Sequence, residues 1–200
     1  IYATMLSLGF ALGPYIFSLT GSKGFLPFGL ACAIISLAIV PVVVAWRHSP
    51  DFEDEEHVPF LPYVLKVPTA TAAVLVYGAV ETGGFALLPL YGSRIGYSEG
   101  DTALLMTMIG IGNVVFQIPI GMLSDRVKDR RWVLLTIAAF GLAGMIAMPY
   151  LASSWGLLAG LLFIWGGMIA GLYTVGLAHL GSKLSGRELA SANAAFIFCY

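Results

Sequence analysis

Charge is what this 200-residue chain has least of. Only 10% of its residues are Asp, Glu, Lys or Arg, against about 25% in a typical soluble domain. The net charge of −1 gives no support to a basic nucleic-acid-binding surface. The two cysteines, Cys32 and Cys199, have no C-x-x-C spacing and no histidine nearby in sequence, so neither a disulfide nor a metal site is indicated. We expect no cofactor and no nucleic-acid partner.

Catalytic motifs are also scarce. The sequence contains no H-E-x-x-H, Walker A or G-x-G-x-x-G pattern. The run Gly96-Tyr-Ser98-Glu-Gly100 fits the G-x-S-x-G pattern of hydrolases. That pattern needs a preceding strand and an oxyanion hole, whereas a long apolar segment precedes it here. We therefore predict that the chain is not an enzyme.

Apolar residues are abundant instead. They make up 58% of the chain, and the mean hydropathy is +0.89. Several apolar runs reach the roughly 20 residues that a helix needs to cross a bilayer. The sequence therefore predicts an all-α polytopic membrane protein whose partner is the lipid bilayer. Seven apolar segments can be marked, at about 1–20, 25–46, 68–92, 101–123, 132–150, 156–179 and 188–200.

The basic residues predict an orientation for these segments. When successive connections are assigned to alternate sides, one side holds only Lys23 and Arg94. The other side holds eight basic residues: Arg47, Lys66, Arg126, Lys128, Arg130, Arg131, Lys183 and Arg187. The positive-inside rule places that second side in the cytoplasm. Ser98 and Ser185, each three residues before an acidic residue, resemble capping boxes, and Pro68 suits a first helical turn.

The longest connection, residues 47–67, is acidic and contains Pro59 and Pro62. We interpret it as a solvated linker between two helical bundles, and a partner-binding acidic loop is the alternative. The segments differ in polarity as well. Residues 25–46 and 132–150 carry few polar groups and suit a lipid-facing place, because polar groups in hydrocarbon are costly and usually face a cavity or another helix.

A charged run, Gly121-Met-Leu-Ser-Asp125-Arg126-Val-Lys128-Asp129-Arg130-Arg131, joins the fourth and fifth segments. Its G-x-L-x-D-R pattern followed by basic residues resembles motif A of the major facilitator superfamily, a family of twelve-helix transporters built from two six-helix halves. Gly9-Phe-Ala-Leu-Gly13-Pro14 is similar to a Gly-Pro stretch in helix five of that family. The resemblance implies an internal fragment with about seven of the twelve helices. Residues 1–46 would be helices five and six, 47–67 the cytoplasmic central loop, and 68–200 helices seven to ten with the start of eleven.

The resemblance implies a gating role for Gly121, Asp125, Arg126, Arg130 and Arg131. Gly121 would let a neighbouring helix approach closely. Asp125 would interact with the positive N-terminus of the helix that starts near Glu188, and this contact would latch the cytoplasmic face. A solvated loop with no gating role is the alternative. The absence of paired glycines after Gly13-Pro14 weakens an assignment to drug/proton antiport.

Glu81 is a charged residue deep within an apolar segment. It lies 13 residues after Pro68, about 20 Å along a helix and therefore near mid-membrane. Because removal from water disfavours an ionised carboxylate, such a group can exchange a proton as its surroundings alternate between wet and dry. We interpret Glu81 as a proton-coupling residue or as the ligand of a cationic group on the substrate. The alternative is a structural pairing with a base elsewhere in the protein.

Helical spacing predicts three faces that could line a cavity. They comprise Tyr77, Glu81 and Phe85; Asn113 and Gln117; and Trp165, Ile169 and Tyr173. Interhelical packing and hydrogen bonding is the alternative for each of them. The spacings Gly9-x-x-x-Gly13 and Gly167-x-x-x-Gly171 predict close helix contacts.

Together these features predict a secondary active transporter of a small solute that works by rocker-switch alternating access, with proton coupling through Glu81. A passive channel and a membrane scaffold without transport activity are the alternatives. The expected setting is the bacterial inner membrane, with a multi-pass protein that is monomeric at full length.

Overall fold

The computed structural model describes residues 2–21, 24–46 and 59–200. In chain order the helices are α1 (Tyr2–Thr20), α2 (Leu26–Trp46), α3 (Leu61–Lys66), α4 (Pro68–Arg94), α5 (Glu99–Arg126), α6 (Arg130–Leu151), α7 (Trp155–Gly181) and α8 (Gly186–Phe198). Helices α2, α4, α5, α6 and α7 are each long and apolar enough to cross a membrane. The prediction of an all-α polytopic membrane protein is confirmed, and the helix ends lie within three residues of the predicted segments.

The start of α5 shows why these boundaries were readable. The Ser98 hydroxyl accepts a hydrogen bond from the backbone N–H of Asp101 at 3.1 Å and donates to the Asp101 carboxylate at 2.6 Å. Ser98 is therefore the N-cap of α5 as predicted, but the Asp101 carboxylate accepts from the Ser98 hydroxyl and not from its backbone N–H, so the reciprocal bond of a capping box is not formed. The cap gives Ser98 a structural role that agrees with the rejection of the hydrolase pattern. Ser185 is the N-cap of α8, but its side chain makes no capping hydrogen bond. Pro68 lies in the first turn of α4, as predicted.

The packing of α5 against α7 forms the centre of the described bundle. Leu105 and Ile109 of α5 lie in the main apolar core with Leu162, Ile169 and Leu172 of α7. Glycines on both helices allow their backbones to approach closely, because a glycine has no Cβ to separate them. A Cβ atom on Gly112 of α5 would overlap the carbonyl group of Phe163 in α7.

The two predicted glycine pairs have different outcomes. Gly167 faces Gly112 and Phe116 of α5, and Gly171 faces Ile120 and Ile137, so the prediction for this pair is confirmed. The prediction for Gly9 and Gly13 is wrong, because a Cβ atom on either residue would meet no described atom within 4 Å. Helix α1 instead contacts α5 where Ala11 packs against Gly110. Gly9 and Gly13 therefore do not lie on the face of α1 that packs against α5.

The two helices predicted to face lipid differ in the structure. No side chain of α2 is buried among the described residues. Helix α6 buries one stripe, including Val133, Leu134 and Ile137, against the core. Its Gly141 and Gly144 lie under Ile169 and Trp165 of α7. Helix α6 is therefore half exposed, because one face holds the small residues on which α7 packs.

The end of the predicted linker is structured. Residues 47–58 lie outside the described residues, but Leu61–Lys66 form α3. Tyr63 of α3 is 5% exposed and packs in a second apolar cluster with Ala192 and Phe196 of α8. The Thr71 hydroxyl of α4 donates to the Val64 carbonyl at 2.9 Å. The expectation of a solvated linker throughout 47–67 is therefore wrong for this part, because an apolar face of α3 docks onto α4 and α8.

Hydrogen bonds between connections show which helix ends lie together. The Tyr97 hydroxyl, after α4, donates to the Ala152 carbonyl, after α6, at 2.8 Å. At the other end, Arg130 at the start of α6 donates to the Ala178 carbonyl near the end of α7 at 3.3 Å. We call these the Tyr97 end and the Asp125 end. All described basic residues except Arg94 belong to the Asp125 end, as the charge sorting predicted, and Arg94 ends α4 at the Tyr97 end. Lys23 and Arg47 lie outside the described residues.

Candidate functional site

Glu81 lies at the middle of α4, which has 27 residues. Both of its carboxylate oxygens accept hydrogen bonds from phenol hydroxyls. Tyr77, one turn earlier on α4, donates to Oε1 at 2.7 Å, and Tyr200, after the end of α8, donates to Oε2. An ionised carboxylate only accepts hydrogen bonds, so two donors satisfy it well. The predicted mid-helix position of Glu81 is thus observed, and its described partners are tyrosines.

A small cavity lies beside Glu81. Its volume is about 20 Å³, and α4, α5 and α7 line it. A cavity needs roughly 10–15 Å³ to hold a water molecule, so this one has room for about one. The lining brings together residues from the three predicted faces: Tyr77, Glu81, Phe85, Asn113, Trp165 and Ile169.

Three tyrosines from three elements meet next to this cavity. The ring centroids of Tyr77 and Tyr173 lie 5.9 Å apart, those of Tyr77 and Tyr200 lie 5.9 Å apart, and those of Tyr173 and Tyr200 lie 5.8 Å apart. Tyr173 also packs against Phe196 at 5.3 Å. Glu81 therefore lies at the edge of an aromatic cluster, which we call the tyrosine cluster (Tyr77, Tyr173 and Tyr200).

The two amide side chains of α5 are buried in the α5–α7 interface. Asn113 is 4% exposed, and in the orientation that satisfies both amide atoms its nitrogen donates to the carbonyl oxygens of Ile109 and Gly166. Gln117 is 8% exposed and donates to the Thr174 hydroxyl at 3.4 Å. Asn113 lines the Glu81 cavity and Gln117 does not. Both make interhelical hydrogen bonds, as the packing alternative predicts.

Trp165 lines the Glu81 cavity and is also bonded to α6. Its indole N–H donates to the Gly141 carbonyl of α6 at 2.9 Å, and its ring lies over Gly144. The bond from the indole N–H and the contact with Gly144 together fix the orientation of the indole ring. Trp165 therefore presents a rigid wall to the Glu81 cavity.

A larger cavity of about 500 Å³ opens at the Tyr97 end. It lies between α1, α4 and α5, and Gly13, Pro14, Pro89, Ser93, Tyr97 and Thr102 are among the residues that line it. Its volume falls within the roughly 300–1,000 Å³ of small-molecule pockets. The Gly13-Pro14 pair thus borders open space rather than a helix contact.

Arg130 organises the Asp125 end. Its guanidinium group donates to the Asp125 carboxylate at 2.8 Å, to the Ser124 hydroxyl at 3.1 Å and to the Ala178 carbonyl at 3.3 Å. These three bonds join the start of α6 to the ends of α5 and α7. Arg126 and Arg131 are exposed on the same end. Arg130 therefore ties three helices together.

One detail of the predicted gate is wrong for the described residues, and another stays a prediction. The Asp125 carboxylate forms an ion pair with Arg130, and its interaction with the N-terminus of α8 stays a prediction. A Cβ atom on Gly121 would meet no described atom within 4 Å, so Gly121 makes no close helix contact there. The local reason is that α5 continues through Arg126 and α6 starts at Arg130, so the tight connection holds Asp125 next to Arg130.

Arg130→Ala is expected to lower the melting temperature of the full-length protein more than Asp125→Asn. Loss of Arg130 removes the donor to the buried Ser124 hydroxyl and leaves the Ala178 carbonyl with only its bond from the Ser182 backbone N–H. The Asp125 side chain is 70% exposed, and such surface pairs contribute only about 0–1 kcal/mol. Thermal unfolding in detergent, with exposed Arg126→Ala as control, measures this. An Asp125→Asn variant as unstable as Arg130→Ala would contradict the assignment.

The participation of Tyr200 was not predicted from the sequence. It lies in the last apolar segment, which is too short in this chain for its buried face to be read from periodicity. The tie from Arg130 to the Ala178 carbonyl was also missed, because a backbone acceptor leaves no sequence signal. The i, i+4 spacing of Phe196 and Tyr200 was the available sign that an aromatic face of α8 turns towards the other helices.

Comparison with known proteins agrees with this architecture. The family model of the Major Facilitator Superfamily matches residues 1–200. The chain is 29% identical over 204 residues to the "Uncharacterized MFS-type transporter YfkF" of Bacillus subtilis, covering 96% of this chain and 50% of that protein. It is 27% identical over 203 residues to the "Uncharacterized MFS-type transporter YE1530" of Yersinia enterocolitica, covering 100% of this chain and 51% of that protein. No solved structure gives a significant match.

The chain thus spans about half the length of these two relatives. The family match extends over the whole chain and agrees with the helical fold and the apolar helices. The chain belongs to the Major Facilitator Superfamily.

Proposed function

We propose that the protein is a secondary active transporter that moves a small solute across the bacterial inner membrane by alternating access, with Glu81 as the proton-coupling residue. The observation that carries this proposal is a carboxylate at the middle of α4, beside a water-sized cavity and held by two tyrosine hydroxyls. Ionisable groups inside a membrane are costly, and they commonly mark ion and proton pathways.

Helix packing supports alternating access. The α5–α7 interface is tight and rich in glycine, as expected of helices that move together. In contrast, the cavity at the Tyr97 end has a volume of about 500 Å³, whereas the cavity beside Glu81 has a volume of only about 20 Å³. Such a difference in access along one bundle is what a transporter needs when it exposes a mid-membrane site to one side at a time.

The Asp125 end is proposed to act as the gate of the opposite side. Arg130 joins α5, α6 and α7 there through bonds that include the Asp125 ion pair. Rearrangement of this tie would let the helix ends separate. Gly121, Arg126 and Arg131 belong to the same connection and would change their surroundings with it.

Counterflow tests the proposal against a passive channel. Liposomes that contain the full-length protein are loaded in turn with an amine, a carboxylate or a sugar. Entry of the same solute, labelled and added outside, is then followed. We expect one solute to show saturable entry that is accelerated when that solute is present inside, because a carrier reorients faster when loaded. Unsaturable entry without acceleration would contradict alternating access and favour a channel.

A further inference from the structure

The hydrogen bonds of Glu81 differ in what they connect. Tyr77 and Glu81 lie four residues apart on α4, so their bond remains within one helix. Tyr200 lies 119 residues away from Glu81 along the chain, so its bond joins α4 to the end of α8. The same carboxylate therefore carries one local bond and one bond between helices.

Tyr200, which follows α8, also lies against the backbone of α4. A Cβ atom on Gly78 would overlap the Tyr200 carbonyl oxygen, so only glycine fits on α4 at this point. The Tyr200 ring stacks on Tyr77 with an interplanar angle of 19° and meets Tyr173 of α7 edge-on. The phenol hydroxyl is thus directed to Glu81 by packing on both α4 and α7.

The polar groups around Glu81 are phenols and an amide. They are Tyr77 on α4, Asn113 on α5 and Tyr200 after α8, and Tyr173 of α7 packs against both phenol rings. Among the residues that the structure describes, no basic side chain forms an ion pair with Glu81. The hydrogen bonds from the two phenol hydroxyls are therefore what stabilises the Glu81 carboxylate among the described residues.

We propose that Tyr200 is a positioning residue that holds α8 against α4 while Glu81 is ionised, and that protonation of Glu81 releases this contact between the two helices. The inference rests on the proposed role of Glu81 as the proton acceptor. A hydrogen bond to an ionised carboxylate is roughly twice as strong as a neutral one. A proton that binds to Oε2 therefore weakens the Tyr200 bond, whereas the Tyr77 bond affects no other helix. The chemical event at Glu81 thereby becomes a movement of α8.

Cys199 provides a native probe of this movement. It lies next to Tyr200 and is partly buried against the cluster formed by Tyr63, Ala192 and Phe196. Release of the contact between α8 and α4 should expose its thiol. The labelling rate of Cys199 by N-ethylmaleimide in the full-length protein, resolved by mass spectrometry of the labelled peptide, therefore reports the position of α8 without any substrate.

The matched variants are Tyr200→Phe and Tyr77→Phe. Each removes one hydroxyl from the same carboxylate and keeps its aromatic ring, but only Tyr200 links two helices. At alkaline pH we expect Tyr200→Phe to label about tenfold faster than Tyr77→Phe, since a hydrogen bond to a charged group is worth about that factor. Equal labelling rates in the two variants would overturn the proposal.

Wild type and Glu81→Gln provide a test that needs no Tyr200 variant. Cys199 of each protein is labelled in acidic and in alkaline buffer. At each pH the labelling rate of Glu81→Gln is divided by that of the wild type, which cancels the intrinsic reactivity of the thiol. We expect Glu81→Gln to label faster than wild type in alkaline buffer and equally fast in acidic buffer. A ratio that does not change with pH would overturn the release of α8. Proton-driven transport by Glu81→Gln would instead overturn the proposed function, so the two failures are distinguishable.

Discussion

Gly112→Ala is expected to disrupt the centre of the bundle. The added Cβ would meet the carbonyl oxygen of Phe163, lie 2.9 Å from the carbonyl carbon of that residue and lie 3.0 Å from the backbone nitrogen of Gly167. These are backbone atoms of α7, so no side-chain rotation can relieve the overlap. Overpacking of this kind typically costs about 1–3 kcal/mol. We expect the melting temperature of the full-length protein in detergent to fall by several degrees.

Gly160→Ala is the matched control on α7. A Cβ atom at this position meets no described atom within 4 Å, and Gly160 is exposed. Alanine also has a higher helix propensity than glycine. We therefore expect this variant to melt at or slightly above the wild-type temperature. A Gly112→Ala protein as stable as Gly160→Ala would show that α5 and α7 do not approach as closely as described.

Helix positions were predictable because the signals for them are local. Apolar run length, the Ser98 cap and Pro68 each depend on a few neighbouring residues, and the helix ends agree with the structure to within three residues. Which face of a helix packs was harder to predict. The GxxxG spacing is the same in α1 and α7, but among the described residues only the Gly167–Gly171 pair contacts another helix. The sequence shows that close packing is allowed, and the partner helix decides where it occurs.

The candidate site was predictable to a similar extent. Glu81 was identified because a carboxylate in an apolar run is costly, and Tyr77 because it lies one helical turn away. Tyr200 and the Arg130–Ala178 bond join residues 119 and 48 positions apart. Such pairings depend on the tertiary arrangement of the helices. For the same reason Asp125, predicted to cap α8, is paired with Arg130 in the structure.

Glu81→Gln is expected to separate solute exchange from proton movement. Glutamine keeps the size of the side chain, and its amide oxygen can still accept the bond from Tyr77 within α4, so the fold should be retained. It cannot take up a proton from the medium near neutral pH. The variant should therefore continue to exchange solute across the membrane but lose accumulation driven by a pH gradient. Glu188→Gln is the control, since Glu188 is an exposed carboxylate in the first turn of α8.

The size of the effect follows from the driving force. A pH difference of one unit is worth about 1.4 kcal/mol per proton, or about tenfold in a concentration ratio. With one proton moved per solute, wild type and Glu188→Gln should accumulate the transported solute about tenfold under such a gradient. Glu81→Gln should bring the internal and external concentrations only to equality.

The steady-state accumulation ratio of Glu81→Gln in liposomes under an imposed pH gradient tests the proton-coupling role of Glu81 most directly. The solute is the one identified by counterflow, and exchange without a gradient is measured in the same preparation to establish that the variant is active. We predict normal exchange with a ratio of one. Accumulation equal to that of the wild type would contradict the assignment of Glu81 as the coupling residue.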